Sequence, residues 1–205
     1  MTEIPTAYRY QDASAAHTDA YLWKPICQLI QSRTEKRVFD LGCGNGAFAR
    51  HLKSRGYHVQ GVDPSEEGIQ LANRVDPSMQ LDVGNAYEPL SERHGHFPLV
   101  VSLEVVEHVY YPRKFARCVS DSLEPGGTAV ISTPYHGYWK NLALALTGAM
   151  DSHFTALWDH GHIKFWSIAS LTQLFAEQGL TRKKVLRVGR IPALAKSMIL
   201  VVQKP

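Results

Sequence analysis

The stretch that most constrains the fold of this chain is 38–49, with the sequence Val-Phe-Asp-Leu-Gly-Cys-Gly-Asn-Gly-Ala-Phe-Ala. Its first residues are β-branched or apolar, which is typical of a buried strand. Gly42, Gly44 and Gly46 follow directly. Because glycine has no Cβ, the backbone can turn sharply there and let a ligand approach closely. We expect a strand, a glycine turn and a helix, with a ligand held against backbone amides at the end of the strand.

The rest of the chain alternates between segments with the pattern of strands and segments with the pattern of helices. Strands are predicted at 37–41, 57–63, 78–82, 99–103 and 128–132. This alternation is typical of βαβ units and a parallel sheet with helices on both faces. The segments 182–188 and 196–203 follow each other without a helix between them, which predicts an antiparallel hairpin at the edge of the sheet.

Apolar side chains at helical spacing predict the helices that separate these strands. They are expected at 17–33, 46–55, 65–75, 112–123, 139–149 and 167–177. Pro25 lies inside the first of these segments, so that helix could instead begin near Pro25. The sequence therefore predicts an α/β protein, and we expect residues 1–205 to form a single domain.

Composition narrows the classes of function. The 205 residues are 44% hydrophobic and 20% charged, which is ordinary for a globular domain. The net charge of +3 and the lack of a long basic run argue against a nucleic-acid partner. Cys27, Cys43 and Cys118 are odd in number and lack metal-binding spacing, which favours reduced thiols. No stretch resembles a signal peptide or a membrane span, so we expect a cytoplasmic protein.

The acid after the second predicted strand indicates what kind of ligand binds. Asp63 follows the glycine turn by roughly 20 residues, the spacing at which an acid accepts ribose hydroxyls in a βαβ unit. The pattern Asp40-x-Gly42-x-Gly44-x-Gly46 differs from the G-x-G-x-x-G of dinucleotide sites. Asp40 would repel a pyrophosphate but could accept hydrogen bonds from an ammonium group. A nucleoside with a cationic amino-acid end, such as S-adenosylmethionine, fits these groups.

Over residues 37–133 the chain resembles class I S-adenosylmethionine-dependent methyltransferases. The resemblance rests on the segments 38–49, 61–65, 83–86, 101–108 and 123–128. It implies a Rossmann-like, seven-stranded, mostly parallel sheet with an antiparallel last strand, and an enzyme that uses S-adenosylmethionine. The cofactor-binding residues that it implies are Asp40, Gly42, Cys43, Gly44, Gly46, Asp63, Pro64, Asn85, Ala86 and Leu103.

The same resemblance assigns a part of the cofactor to each of these positions. In the family, the glycine loop contacts the methionine end and Asp63 holds the ribose. Asn85 corresponds to the residue near the adenine amino group, and the backbone N–H of Ala86 would face the ring. Leu103 would lie under the junction of methionine and ribose.

A narrower resemblance concerns the methyl acceptor. The pattern Glu104-x-x-Glu107-His108 and the segments 132–134 and 161–164 look like the small-molecule O-methyltransferases of ubiquinone biosynthesis. O-methylation of a small molecule is therefore expected. N- or C-methylation, methylation of a protein or nucleic acid, and a non-catalytic cofactor-binding subunit remain the alternatives.

Histidines are the candidate catalytic groups, because a hydroxyl acceptor must lose its proton at neutral pH. His108 is the first choice, since it follows the fourth predicted strand. Further candidates in the inserted segment are His136, His160 and His162.

A divalent cation is a second possibility at the same place. Glu104, Glu107 and His108 are spaced i, i+3 and i+4, so on a helical turn they would share one face. The narrower resemblance also suggests such a cation. The alternative is a helix N-terminus with favourable acids, and we favour a site without metal.

Two segments outside the repeating pattern are expected to cover the site. The segment 134–166 contains an apolar helix and is predicted to be a lid over an aromatic or lipid-like acceptor, perhaps in contact with a membrane surface. Packing on the sheet or in a dimer contact is the alternative, and the protein is expected to be a monomer or homodimer. A helical cap is predicted at 1–36, in which Tyr8, Tyr10 and Trp23 either close the cofactor site or serve ordinary packing.

Overall fold

The structure is a computed structural model that describes residues 18–159 and 161–205. Tyr8, Tyr10 and His160, for which roles were predicted, lie outside the described residues. The same is true of residues 1–17 of the predicted cap. The division into one domain, a cap and a lid stays a prediction.

Seven strands form one sheet in the order β3-β2-β1-β4-β5-β7-β6. The strands are β1 (Arg37–Leu41), β2 (His58–Asp63), β3 (Gln80–Val83), β4 (Phe97–Leu103), β5 (Leu123–Pro134), β6 (Thr181–Val188) and β7 (Ser197–Gln203). Strands β1 to β5 pair in parallel, and β7 is antiparallel to both β5 and β6. The predicted sheet, including its antiparallel last strand, is confirmed.

The helices connect these strands. They are α1 (Asp19–Ile30), α2 (Ala47–Lys53), α3 (Glu66–Val75), α4 (Leu90–His94), α5 (Pro112–Asp121), α6 (Tyr138–Leu146), α7 (Met150–Phe154) and α8 (Ile168–Ala176). None of the helices in the described part of the chain has the length and hydrophobicity of a membrane-spanning segment.

Helices cover both faces of the sheet, as predicted. Successive residues of a strand point to opposite faces, and neighbouring Leu99 and Val100 of β4 belong to two different buried clusters. One cluster contains Leu22 of α1 and Leu52 of α2, and the other contains Phe115 of α5. The parallel strands are therefore buried on both sides, which explains their continuous apolar sequences.

Two local expectations differ from the structure. Helix α1 begins at Asp19 and continues through Pro25, so the alternative start near this proline is wrong. Strand β5 begins at Leu123 rather than at residue 128. The segment 125–127 forms an irregularity within β5, since the pairing with β4 shifts register there. Short α4 was not predicted, because its five residues include one leucine and no helical repeat.

Candidate functional site

The predicted cofactor residues lie at one edge of the sheet. Strands β1 to β4 are parallel, so their C-terminal ends meet at this edge. The glycine loop 42–46 follows β1, Asp63 ends β2, Asn85 and Ala86 follow β3, and Leu103 ends β4. Ligands of open parallel sheets bind outside these strand ends.

The glycine loop is fixed to the end of β2. Gly42, Gly44 and Gly46 have φ angles of 85°, 55° and 71°, in the left-handed region that favours glycine. The backbone amides of Gly42 and Cys43 donate to the Val62 carbonyl at 2.8 and 3.0 Å. The alternation of glycines therefore has a direct conformational reason, and the loop has one defined shape.

Asp63 connects the loop to the helix that follows β2. Its Oδ2 accepts a hydrogen bond from the Gly44 amide at 2.8 Å, and its Oδ1 accepts one from the Ser65 amide at 2.9 Å. Burial raises the pKa of Asp63, and these two hydrogen bonds act in the opposite direction. Because each carboxylate oxygen can accept two hydrogen bonds, both retain capacity for a ligand hydroxyl.

Asp40 is a buried acid with unused capacity. Asp40 is 2% exposed, and its Oδ2 has no hydrogen-bond partner among the described residues. Burial, together with the charge of Asp63, raises the pKa of Asp40 to about 7. Burying a charge without a partner is costly, so this position favours a cationic ligand group.

The remaining predicted cofactor positions surround the same edge. Asn85 is half-buried, donating to Glu88 Oε1 at 2.7 Å and accepting from the Tyr87 amide at 2.9 Å. Its side chain therefore shapes the loop after β3. Ala86 and Leu103 are half-buried against the core, whereas Pro64 is exposed.

The turn after β4 is not helical, so the predicted helical face of Glu104, Glu107 and His108 is wrong. Glu104 has a φ of 55°, which interrupts the right-handed conformation that a helix needs. Its carboxylate accepts hydrogen bonds from the hydroxyls of Ser132 at 2.8 Å and Ser197 at 3.3 Å. Burial raises the pKa of Glu104 to about 7, while the two hydroxyls act to lower it.

A different set of three side chains meets beside this turn. One potential ligand atom from each of Glu107, His108 and His162 lies within 4.8 Å of the other two. Neither carboxylate oxygen of Glu107 has a hydrogen-bond partner within the described part of the chain. Burial raises the pKa of Glu107 well above its usual range, and the charge of Glu104 raises it further. This set could hold a divalent cation, with His162 in place of Glu104.

The hydrogen bonding of His108 indicates which of its ring nitrogens carries the hydrogen. Its Nδ1 lies 3.2 Å from the carbonyl oxygen of Gly161. A carbonyl can only accept, so Nδ1 carries the hydrogen, and in the neutral ring Nε2 carries the lone pair. This tautomer suits either a general base or a metal ligand.

The segment 134–166 leaves β5 and returns across the turn after β4. The amides of Ile163 and Lys164 donate to the Glu107 carbonyl at 2.9 and 3.0 Å. The indole N–H of Trp166 donates to the Val106 carbonyl at 3.1 Å. Trp23 of α1 packs on α2, with its ring centroid 5.5 Å from that of Phe48.

Under this segment lies a cavity of about 330 Å³. Its polar lining consists of His136, Lys140, Thr147, His153, His162, Arg190 and Lys196. Burial, with nearby cations, lowers the pKa of His136 and of His162 to about 4. Two of the predicted catalytic candidates, His136 and His162, thus line the cavity. With these pKa values both are neutral at pH 7.

Residues 15–184 match the sequence model of a family described as "Methyltransferase domain". A "Ubiquinone biosynthesis O-methyltransferase" of Caulobacter sp. (strain K31) is 37% identical over 117 residues, which are 55% of this chain and 46% of the relative. The protein of the same name from Psychrobacter arcticus is 29% identical over 83% of this chain and 72% of its own length. The chain thus spans about half the length of the first of these relatives.

A solved structure of similar fold is an S-adenosylmethionine-dependent methyltransferase from Methanosarcina mazei. The TM-score is 0.66 at 20% identity, over 88% of this chain and 97% of that one. At this identity the likeness concerns the fold.

The buried acid at the site predicts a pH dependence of stability. An Asp carboxyl ordinarily has a pKa of 3.8, whereas that of Asp40 is about 7. Between these values the folded free protein retains a proton that the unfolded chain has released, so the free energy of unfolding falls as the pH rises. Asp40→Asn removes this loss. We therefore expect the free energy of unfolding of Asp40→Asn to rise relative to that of the parent by roughly 2 to 4 kcal/mol from pH 4 to pH 8.

Urea denaturation across this pH range measures the effect, with the exposed Asp82→Asn as the matched control. Parallel stability profiles for the parent and Asp40→Asn would show that Asp40 is not held in an unfavourable charged state.

Proposed function

The chain belongs to the methyltransferase domain family, and we propose that it is an enzyme that transfers a methyl group from S-adenosylmethionine to a hydroxyl oxygen of a small molecule. The observation that carries this proposal is Asp40. A buried carboxylate oxygen without a partner, next to an amide-rich glycine loop, fits a ligand that is cationic at one end and a nucleoside at the other.

The chain's residues would divide the work of binding this ligand. The glycine loop 42–46, with Cys43, would contact the methionine end, and Asp40 would stabilise its ammonium group. Asp63, whose two oxygens are oriented by amides, would accept the ribose hydroxyls. Asn85 and Ala86 would border the adenine, with Pro64 beside the ribose and Leu103 beneath it.

When bound, S-adenosylmethionine supplies a methyl group on a sulfonium that is already a good leaving group. The protein therefore has to orient the acceptor, exclude water and remove the acceptor's proton. We propose that Nε2 of His108 takes up the acceptor's proton. The Gly161 carbonyl holds the ring's own hydrogen on Nδ1, so Nε2 carries the lone pair. The segment 134–166, which crosses the turn that bears His108, would exclude water as a lid.

Oxygen is favoured as the methylated atom by two observations. A histidine base suits a hydroxyl, which must lose a proton during transfer. The relatives from Caulobacter and Psychrobacter carry the name O-methyltransferase. Alternatively, a divalent cation held by Glu107, His108 and His162 would lower the pKa of the acceptor hydroxyl, and His108 would then be a metal ligand. The ligand atoms of these three residues lie within 4.8 Å of one another, which supports this second role.

We further propose a cytoplasmic protein whose lid contacts an apolar surface, either a membrane or a second copy of the chain. Exposed apolar side chains of the lid support this, notably Trp139 and Leu146 of α6 and Leu157 after α7.

Tritium transfer from labelled S-adenosylmethionine to the small molecules of a cell extract, followed by mass spectrometry, tests for methyl transfer and identifies the acceptor. Cofactor binding without transfer would leave only a binding role.

Removing the Asp63 carboxylate should weaken S-adenosylmethionine binding. Asp63→Ala loses the charge-assisted hydrogen bonds to the ribose, which corresponds to ~1–3 kcal/mol of binding free energy. Calorimetry measures this change, with Asp82→Ala on the neighbouring strand as the control. Equal affinity in the two variants would remove Asp63 from the ribose-binding role.

Replacing His108 should slow turnover without weakening cofactor binding. General-base catalysis contributes about 10²–10⁴ to a rate, so we expect His108→Ala to lower kcat at least 100-fold. Tritium transfer and calorimetry measure the two quantities, with the exposed His58→Ala as the control. If EDTA abolishes the parent's activity and Mg²⁺ restores it, His108 acts as a metal ligand; an unchanged kcat in His108→Ala contradicts both roles.

A further inference from the structure

The cavity under the lid has a concentration of positive charge that the methyl-transfer chemistry does not use. Lys140 comes from α6, and Arg190 and Lys196 lie on either side of the short 3₁₀ turn Pro192–Leu194 before β7. All three residues line the same cavity. Three cationic residues from separate segments therefore border one cavity.

None of these three cations forms an ion pair with a described residue. Across residues 18–159 and 161–205, no carboxylate lies within ion-pair distance of Lys140, Arg190 or Lys196. The negative charge of Glu104 attracts Lys140, but the Glu104 carboxylate accepts its hydrogen bonds from two serine hydroxyls rather than from the lysine. The cavity consequently carries an excess of positive charge.

Lys140 is the most informative of the three. Lys140 is 8% exposed, and its ammonium donates to the Tyr135 carbonyl at 2.8 Å. Burial and, next, the charge of Arg190 lower the pKa of Lys140 to about 8, so it remains mostly protonated at pH 7. Two neighbouring cations in a partly buried site repel each other, and an anion between them would relieve that repulsion.

The rest of the cavity wall is apolar and aromatic. Phe154 and Phe165 lie edge to face, with ring centroids 4.8 Å apart, and Leu144 and Leu194 also line the space. A wall of this kind favours a ring or a short hydrocarbon body. The cavity thus combines an apolar surface with a cationic end.

His162 connects the cavity to the proposed reaction centre. It lines the cavity, and its ring centroid lies 4.9 Å from that of His108. A molecule anchored in the cavity would therefore have its far end close to the proposed base.

We propose that this cavity binds the methyl acceptor, and that the acceptor carries an anionic group, a carboxylate or a phosphate, held by Lys140, Arg190 and Lys196. Its aromatic or apolar body packs against Phe154 and Phe165, and its hydroxyl faces His108. This inference rests on the proposed function and adds the charge of the substrate to it.

A matched pair of acceptors tests the inference in the transfer assay. 3,4-Dihydroxybenzoate and 3,4-dihydroxybenzamide have nearly the same shape and differ in charge. We expect kcat/KM to favour the acid by roughly tenfold or more, because hydrogen bonds to charged groups are the stronger ones. Arg190→Gln should reduce this preference about tenfold, whereas Arg182→Gln on the exposed part of β6 should leave it unchanged.

A binding experiment separates this inference from the proposed function. Calorimetry on the protein saturated with S-adenosylhomocysteine compares benzoate, phenyl phosphate and neutral benzamide. We expect one of the two anions to bind at least tenfold more tightly than benzamide, in an Arg190-dependent manner, and the tighter anion identifies carboxylate or phosphate. Anion binding without methyl transfer would keep the cavity assignment and count against the proposed function.

The inference is overturned if neither anion binds more tightly than benzamide, or if Arg190→Gln leaves the anion preference unchanged. Either result has this meaning whatever the transfer assay gives. Methyl transfer to acid and amide at equal efficiency likewise overturns the charge assignment but leaves the methyltransferase function intact.

Discussion

The site depends on the Asp63 carboxylate and the two backbone amides that it binds. One oxygen holds the glycine loop after β1 through Gly44, and the other holds the start of α3 through Ser65. Ser65 in turn caps α3, since its hydroxyl accepts from the Gly68 amide at 3.1 Å. A single side chain therefore connects two turns at the strand ends. The backbone that would face a ligand is ordered by the protein's own hydrogen bonds, which lowers the entropy cost of binding.

The same arrangement has an electrostatic consequence. Asp63 and Asp40 are both buried, and the charge of the first raises the pKa of the second. Such a pair is unfavourable for the free protein and becomes favourable with a cation beside it. The cavity under the segment 134–166 has charge of the opposite sign, because Lys140, Arg190 and Lys196 line it. The molecule thus offers one acidic and one basic compartment, and His108 lies beside the basic one, with its ring centroid 4.9 Å from that of His162.

The parts of the structure that were predictable are those that short stretches of sequence determine. The glycine loop and Asp63 follow from a local pattern, and β1 was predicted with its observed bounds because its apolar residues end at a glycine turn. The antiparallel pair β6 and β7 followed from the absence of a helix between them. Helix α4 and the irregular start of β5 were missed, because a single apolar residue or a Pro-Gly-Gly sequence does not reveal its tertiary pairing.

The acceptor side of the site depends on contacts that are distant in sequence. Glu104 was expected to stand beside Glu107 and His108, but its left-handed backbone directs it to Ser132 and Ser197. His162 takes the third place, and no local spacing connects it to His108. The cationic lining was missed for the same reason: its three residues come from α6 and from the two sides of a turn before β7.

The central claim is that a cationic nucleoside binds between the glycine loop and Asp63. A crystal structure of the protein with S-adenosylhomocysteine tests it most directly. We expect both ribose hydroxyls to lie within hydrogen-bond distance of the Asp63 carboxylate, with the amino group on the side of Asp40. A nucleoside whose sugar contacts neither oxygen of Asp63, or electron density for it elsewhere on the protein, would contradict this claim.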